Sequence, residues 1–330
     1  MVCGLTAVAS APAKIILFGE HFVVFGEPAI VLAIDKRAYA QAEMRKDKRV
    51  HIKSVNLELS GFFEKEKFKA EKGSPKKAEK ELTPVRLAAQ KILDQAKHDF
   101  GVSIEIRSNI PVAAGLGSSA AVAAATAKAV SHLLDVSLSS EEIFNIACEA
   151  ECIVHGTSSG IDPAIATYGG VLVFKRGEGF TRLSVRKDVT LVVGNTEIQR
   201  STGDLVAKVL QNKEGYPSII DPIIKAGGEI ATKAIETLKQ GDLKRSGELM
   251  NINHALLYAV GVSSEPLEKL VYAARNTGAL GAKLTGAGGG GCIIALAENE
   301  RLKQVEDAIK KAGGTTFIAK KSDEGVQIES

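Results

Sequence analysis

The residues best placed to do chemistry in this 330-residue chain sit beside glycine-rich stretches. Gly115-Leu116-Gly117-Ser118-Ser119 opens into an alanine-rich run. Alanine is the strongest helix former, so the composition predicts a helix through about Leu134. Glycines remove Cβ atoms and let backbone close on a ligand. Ser118 and Ser119 stand where N-caps belong, and the first-turn amides behind them lack an intrahelical acceptor. Those donors, with the positive end of the helix dipole, make a site for phosphate. A Ser-capped helix after a Gly turn is also a common structural device, so this motif leaves both readings open.

Three further groups could share that chemistry. Lys14, Glu20 and His21 are the polar residues in the apolar stretch PAKIILFGEH, and polar groups bracketing one short buried strand are expected to face a common pocket. Asp162 is the one acid in the loop GTSSGIDPA, where Pro163 is expected to hold it extended; an Asx-type turn is the plainer role for such an acid. Glu151 and His155, four residues apart, share a helix face. Cys148, Cys152 and His155 share one too, which raises zinc. A fourth ligand and a CxxC spacing are both missing, so the cysteines read better as small core residues.

These groups need elements to hold them. Val2 to Ala13 is apolar, and Ala9-Ser10-Ala11 resembles a signal-peptidase site, but no Lys or Arg precedes it; a first strand is expected. Two buried strands joined by a turn follow to Ile34, and Tyr39 to Leu59 alternates as antiparallel strands do. Glu64 to Leu82, dense in Lys and Glu, reads as a solvated excursion. Thr83-Pro84 should start a helix running to about Asp99, and Val102 to Arg107 a strand feeding the Gly115 loop. Ser139 to Glu142 is a capping box that opens a helix ending at Gly156. Strands are expected at Gly170 to Phe174 and Val189 to Gly194, then helices at Thr202 to Leu210, Asp221 to Lys239, Asp242 to Tyr258 and Glu265 to Asn276. Gly286, Gly288 and Gly291 match GxGxxG, but here the glycines precede a strand (Ile293 to Leu296), the reverse of a dinucleotide fingerprint. A helix from Glu300 to Ala312 and a strand near Thr315 to Ile318 end the pattern. Neither glycine segment matches GxxxxGK[ST], which excludes a P-loop NTPase.

Composition narrows the class. Lys and Arg number 42 against 39 Asp and Glu, a net charge of +3, and Trp is absent, so no basic, aromatic surface for nucleic acid stands out. No apolar run is long enough for a transmembrane helix. Four scattered cysteines do not make a disulfide framework and fit a reducing cytoplasm.

PAKIILFGEH, PVAAGLGSSAA and KLTGAGGGGC, in that order and spacing, together resemble the three motifs of the GHMP kinase superfamily, from about Ala11 to about Ile318. GEH followed by VVFGEPAI, and EAECIVHGTSSGIDPA, are most similar to the branch whose acceptor is mevalonate. Phe22, Phe25 and Ser158 depart from that branch's usual residues, and the chain is shorter than eukaryotic members. The resemblance implies an α+β, two-domain fold: an N-terminal domain (1–184) like domain 2 of ribosomal protein S5 and a ferredoxin-like C-terminal domain (185–330), with ATP and substrate in the cleft between them. It implies ATP-dependent phosphorylation of an alcohol, with Ser119 and Glu151 as Mg²⁺ ligands and Ala113, Ala114, Gly115, Leu116, Gly117, Ser118 and Ser119 around the ATP phosphates. Asn56 and Ser108 match nucleotide contacts, and Glu20, His21 and Thr202 match the substrate pocket. Asp162 matches the acid beside the substrate hydroxyl, as base or orienting group, and Lys14 its lysine partner. Members often form homodimers; a small-molecule substrate, with neither nucleic acid nor membrane as partner, is expected. Other acceptors of the superfamily (phosphomevalonate, homoserine) and a catalytically silent nucleotide sensor are the competing readings.

Overall fold

A computed structural model describes residues 5–64, 67–96, 100–112, 114–155, 159–199 and 201–329. Alternating small and branched residues form two long antiparallel strands, β1 (Thr6–Phe18) and β2 (Ala29–Arg45), joined through a 3-10 turn at Phe22–Phe25. The expected break near Ala13 is a register shift at Pro12/Ala13 inside one continuous strand. A bulge tolerates the donor that proline lacks. Then follow β3 (Val50–Ser54), β4 (Leu59–Glu64), β5 (Lys67–Lys72), α1 (Pro75–Ala96), β6 (Gly101–Ser108), α2 (Ser118–Leu133), α3 (Ser140–His155), α4 (Ile161–Tyr168), β7 (Val171–Lys175) and β8 (Gly179–Arg182).

The stretch expected to be a solvated excursion is ordered instead. Its first part is β5, and α1 starts at Pro75 rather than at Thr83. Its charges lie on the outer face, while Ala78, Leu82, Val85, Ala89 and Ile92 make a buried stripe at spacings of four and three. Pro84 therefore lies inside the helix, and the Thr83 hydroxyl donates back to the Glu79 carbonyl at 2.6 Å instead of capping. The expected end near Asp99 lies outside the described residues.

The second part holds β9 (Thr190–Asn195), α5 (Thr202–Gly215), α6 (Pro217–Gln240), α7 (Leu243–Ala259), α8 (Glu265–Asn276), β10 (Gly281–Leu284), β11 (Cys292–Leu296), α9 (Leu302–Lys311), β12 (Thr315–Lys320) and β13 (Gln327–Ile328). Among the described residues the strands make two sheets. The larger runs β13-β1-β2-β6-β3-β4-β5 with β7 and β8 branching from β2, and the smaller runs β10-β11-β9-β12. Only β3 and β6 pair in parallel in the larger sheet; the smaller is antiparallel throughout. The boundary expected at 184/185 falls between the sheets, but the last strand returns: Gln327 and Ile328 pair with Ser10 and Ala9 of β1. Residues beyond Lys321 thus belong in space to the first unit.

α2 lies across β1 and β2 through alanine on both sides. Ala120, Ala121, Ala124 and Ala127 of the helix meet a sheet centre that includes Ala9, Ala11, Ala13, Ala38 and Ala40, all buried. Such small residues bring helix and sheet axes close. Between the two units, the fully buried Phe22 leaves its own sheet and joins the core of the second. A Cβ on Gly227 of α6 would come 2.2 Å from the Phe22 ring, so only glycine makes this socket.

Candidate active site

The turn before α2 is tied to β1: the Lys14 amide donates to the Leu116 carbonyl at 2.9 Å. Gly117 then takes a left-handed conformation (φ 75°) as the N-cap. A Cβ there would lie 2.8 Å from Lys14 Cγ and 3.3 Å from Asp162 Oδ2, so backbone and two charged side chains close on one point. Ser118 and Ser119 are the first two helical residues rather than caps, and no side chain caps this helix. The first-turn amides keep their free hydrogen-bonding capacity, the property an anion site requires.

Asp162 is not extended. It is the second residue of α4, whose N-cap Gly160 is again left-handed (φ 75°). Pro163 fits in the first turn because amides there have no intrahelical acceptor to lose. The helix carries the carboxylate to the loop, where Lys14 Nζ lies 3.1 Å from Asp162 Oδ1, the side chains 10% and 24% exposed.

From Ser118 and Ser119 a groove runs between α1, β6 and α2. Its lining includes Leu82, Val85, Ile106 and Ile110, together with Asn56 and Ser108. These two are locked together: Asn56 Nδ2 donates to the Ser108 carbonyl at 2.9 Å, and the Ser108 amide donates to Asn56 Oδ1 at 2.7 Å. Ala114 and Leu116 are buried, Gly115 is exposed, and Ala113 lies outside the described residues. The apolar slot thus ends at a helix N-terminus, with the lysine–aspartate pair just beyond.

Glu151 is half-buried on α3, which packs beside α2, so it and Ser119 come from neighbouring helices. The capping box of α3 forms as expected: the Glu142 amide donates to Ser139 Oγ, and the Ser139 amide donates to Glu142 Oε2. Cys148 is half-buried but Cys152 is exposed, so the latter is not the core residue expected. The side chain of His155, Gly156, Thr157 and Ser158 lie outside the described residues. Among the described residues no three His, Cys, Asp or Glu side chains gather as a metal site.

The other residues expected in the substrate pocket separate. His21 is buried and its Nε2 lies 2.7 Å from the Ala287 carbonyl in the glycine loop joining β10 to β11. Glu20 is wholly buried: Lys283 of β10 donates to one carboxylate oxygen, and Asn253 Nδ2 to the other at 3.1 Å. Burial pulls the Lys283 ammonium below its ordinary range, and the Glu20 charge opposes that pull. Thr202 is exposed at the first residue of α5, and its neighbour Ser201 supplies the cap. Sequence reasoning missed Lys283 and Asn253. The signal for Lys283 was available, a lysine opening the glycine motif beside an apolar strand; nothing local marked Asn253.

A two-sheet fold whose groove ends at an uncapped helix start facing a lysine–aspartate pair defines a small-molecule kinase of the GHMP class. The chain matches the family models described as GHMP kinases N terminal domain over residues 83–170 and GHMP kinases C terminal over residues 234–315. It is 48% identical over 329 residues to the mevalonate kinase of Pyrococcus abyssi, covering 97% of both chains. The crystal structure of L. major mevalonate kinase in complex with R-mevalonate superimposes with a TM-score of 0.82 at 30% identity, covering 96% of both chains. The Methanococcus jannaschii mevalonate kinase gives 0.81 at 28% identity, covering 97% of this chain and 99% of that one. The chain belongs to the mevalonate kinase family of the GHMP kinases.

Proposed function

We propose that this chain transfers the γ-phosphoryl group of ATP to the primary (C5) hydroxyl of mevalonate, giving 5-phosphomevalonate and ADP for isoprenoid synthesis. The observation that carries the reading is the Lys14–Asp162 pair closed against Gly117 at the start of α2. The adenosine fits the groove between Asn56 and Ser108 on one side and α1 on the other, so that the phosphates reach the amides of Ser118 and Ser119. The alcohol oxygen then meets Asp162. As the new oxygen–phosphorus bond forms and the bond from γ-phosphorus to the bridging oxygen breaks, the hydroxyl proton passes to the Asp162 carboxylate or, oriented by it, to water. Lys14 supplies positive charge where negative charge gathers. Phosphoryl transfer depends mainly on such positioning and electrostatic stabilisation.

Ser119 and Glu151 are suited to Mg²⁺: one hydroxyl and one carboxylate are hard donors, and this ion keeps few protein ligands beside phosphates and water. Bound there, the ion would neutralise phosphate charge. Glu151→Gln should raise the Mg²⁺ needed for half-maximal rate at least tenfold, and an unchanged titration removes Glu151 from the site. His21 and Thr202 are the residues we assign to the mevalonate side; Glu20, with both carboxylate oxygens engaged by Asn253 and Lys283, supports that wall from behind. Among the described residues no helix is long and apolar enough to cross a membrane, and Cys148, Cys152 and Cys292 form no disulfide; we place the enzyme in the cytoplasm, as a homodimer.

The deciding experiment is ADP release with a panel of acceptors. Mevalonate should be the best by kcat/KM, with phosphomevalonate, homoserine and galactose far weaker. A different preferred alcohol overturns the acceptor assignment, and ATP binding without ADP release for any of them would make the chain a sensor.

A further inference from the structure

The segment after β12 makes contacts that an idle chain end does not need. Arg37, buried on β2, turns both terminal nitrogens to it: Nη2 donates to the Gly325 carbonyl at 2.6 Å, and Nη1 to the Glu324 carbonyl at 3.2 Å and Ser322 Oγ at 3.3 Å, while Nη2 also donates to the Ser10 carbonyl at 3.2 Å. Nε donates to Ser10 Oγ at 2.6 Å and anchors the group to β1. Ser10 in turn donates to Glu329. What this segment lies against is the end of the helix that carries Asp162. The Val326 amide donates to the Thr167 carbonyl at 3.2 Å, and the Gly170 amide to the Ser322 carbonyl at 2.8 Å. The approach is close enough that a Cβ on Gly325 would stand 2.0 Å from the Thr167 oxygen.

α4 is only eight residues long. Two turns have little stability of their own, so what fixes the far end fixes the angle of the near one. We propose that residues 322–329, clamped by Arg37, act as a strap that holds α4 in register and so aims the Asp162 carboxylate at the transfer site; Arg37 is a positioning residue for catalysis. Contact with substrate or nucleotide is not part of its role. Carboxylate and acceptor must meet within a fraction of an ångström, and misplacement by about 1 Å costs on the order of a hundredfold in rate. The mechanical part of the claim stands on the contacts above, while the catalytic part rests on the role assigned to Asp162 under Proposed function.

The test uses the full chain and two substitutions that loosen the strap by different means. Arg37→Ala removes the clamp; Gly325→Ala keeps it and pushes the strap from Thr167. In each, kcat should fall at least tenfold while the KM for ATP and the affinity for a fluorescent ATP analogue stay within twofold. Amide exchange in residues 164–168 should quicken by the same order, a readout that needs no substrate. If Arg37→Ala does not fold, Gly325→Ala alone carries the test. Unchanged kcat with a strap shown by exchange to be loose overturns the proposal. So does a loss of rate matched by an equal loss of nucleotide affinity, which would mark a merely structural role. Faster exchange in α4 together with a wild type inactive on mevalonate would leave the strap standing and overturn the acceptor instead.

Discussion

At the scale of single residues, two charged pairs have opposite characters. Lys14 and Asp162 keep some exposure, so the pair can exchange its partner for a reacting group. Asp162→Asn should leave folding and ATP affinity intact and lower kcat about 10²- to 10⁴-fold, the usual contribution of a proton-handling group; near-normal turnover in the purified variant would remove Asp162 from the chemistry. Glu20 and Lys283 have no exposure and pair with each other across the two units. Removing one partner of a buried pair leaves an uncompensated charge, which costs about 3–5 kcal/mol. Lys283→Met should therefore show that loss in urea unfolding, and the double change Glu20→Gln with Lys283→Met should lose much less than the sum. Additive losses would mean that the pair does not act as one unit. The residues Lys14 and Asp162 were legible because each interrupts an apolar or glycine-bounded motif. Glu20 was read as facing a pocket, and its buried partner was not legible, since 263 positions separate the two and no local pattern connects them.

Among elements, α2 was the easiest to read and α4 the hardest. Alanine density forecast the first, although its serines are first-turn residues and the cap position belongs to a left-handed glycine. α4 is hidden because Gly160, Asp162 and Pro163 are the vocabulary of turns; only its burial against β1 and α2 makes it a helix. α1 was half missed for the converse reason, since lysines on its outer face hid a narrow inner stripe. The alanine contact of α2 also sets a strict limit on volume. Ala124→Leu inserts three carbons where the residue is completely buried and should destabilise by about 1–3 kcal/mol through overpacking. An unchanged urea midpoint would show that helix and sheet can part more easily than their packing implies.

For the whole molecule, the packing inside the second unit also fixes a pH response. His254 of α7 accepts the Leu284 amide at Nδ1 (3.2 Å) and sits with Nε2 3.0 Å from Glu268. Burial pushes it down to about 4, with Arg275 and Lys283 adding to the fall and Glu268 opposing it. The folded value lies below the unfolded one near 6.5, so the unfolded chain binds the proton first. The contribution is complete above about pH 6.5 and is lost as pH drops toward 4, amounting to about 3 kcal/mol. His254→Gln should flatten unfolding midpoints over that window and leave them parallel to wild type above pH 7; parallel curves below pH 6 as well would place the acid sensitivity elsewhere. The two-unit plan was legible from three motifs widely spaced along the chain. The return of β13 to the first sheet was not, because two residues of strand carry too little pattern to be seen.

Phe22 in its Gly227 socket has one more consequence, for how the halves could be separated. An isolated second half would keep a vacant hole at its centre, and the first half would present a bare ring to water. Coexpressed as separate chains, the pieces ought to find each other and regain turnover, whereas either one alone should be prone to clump.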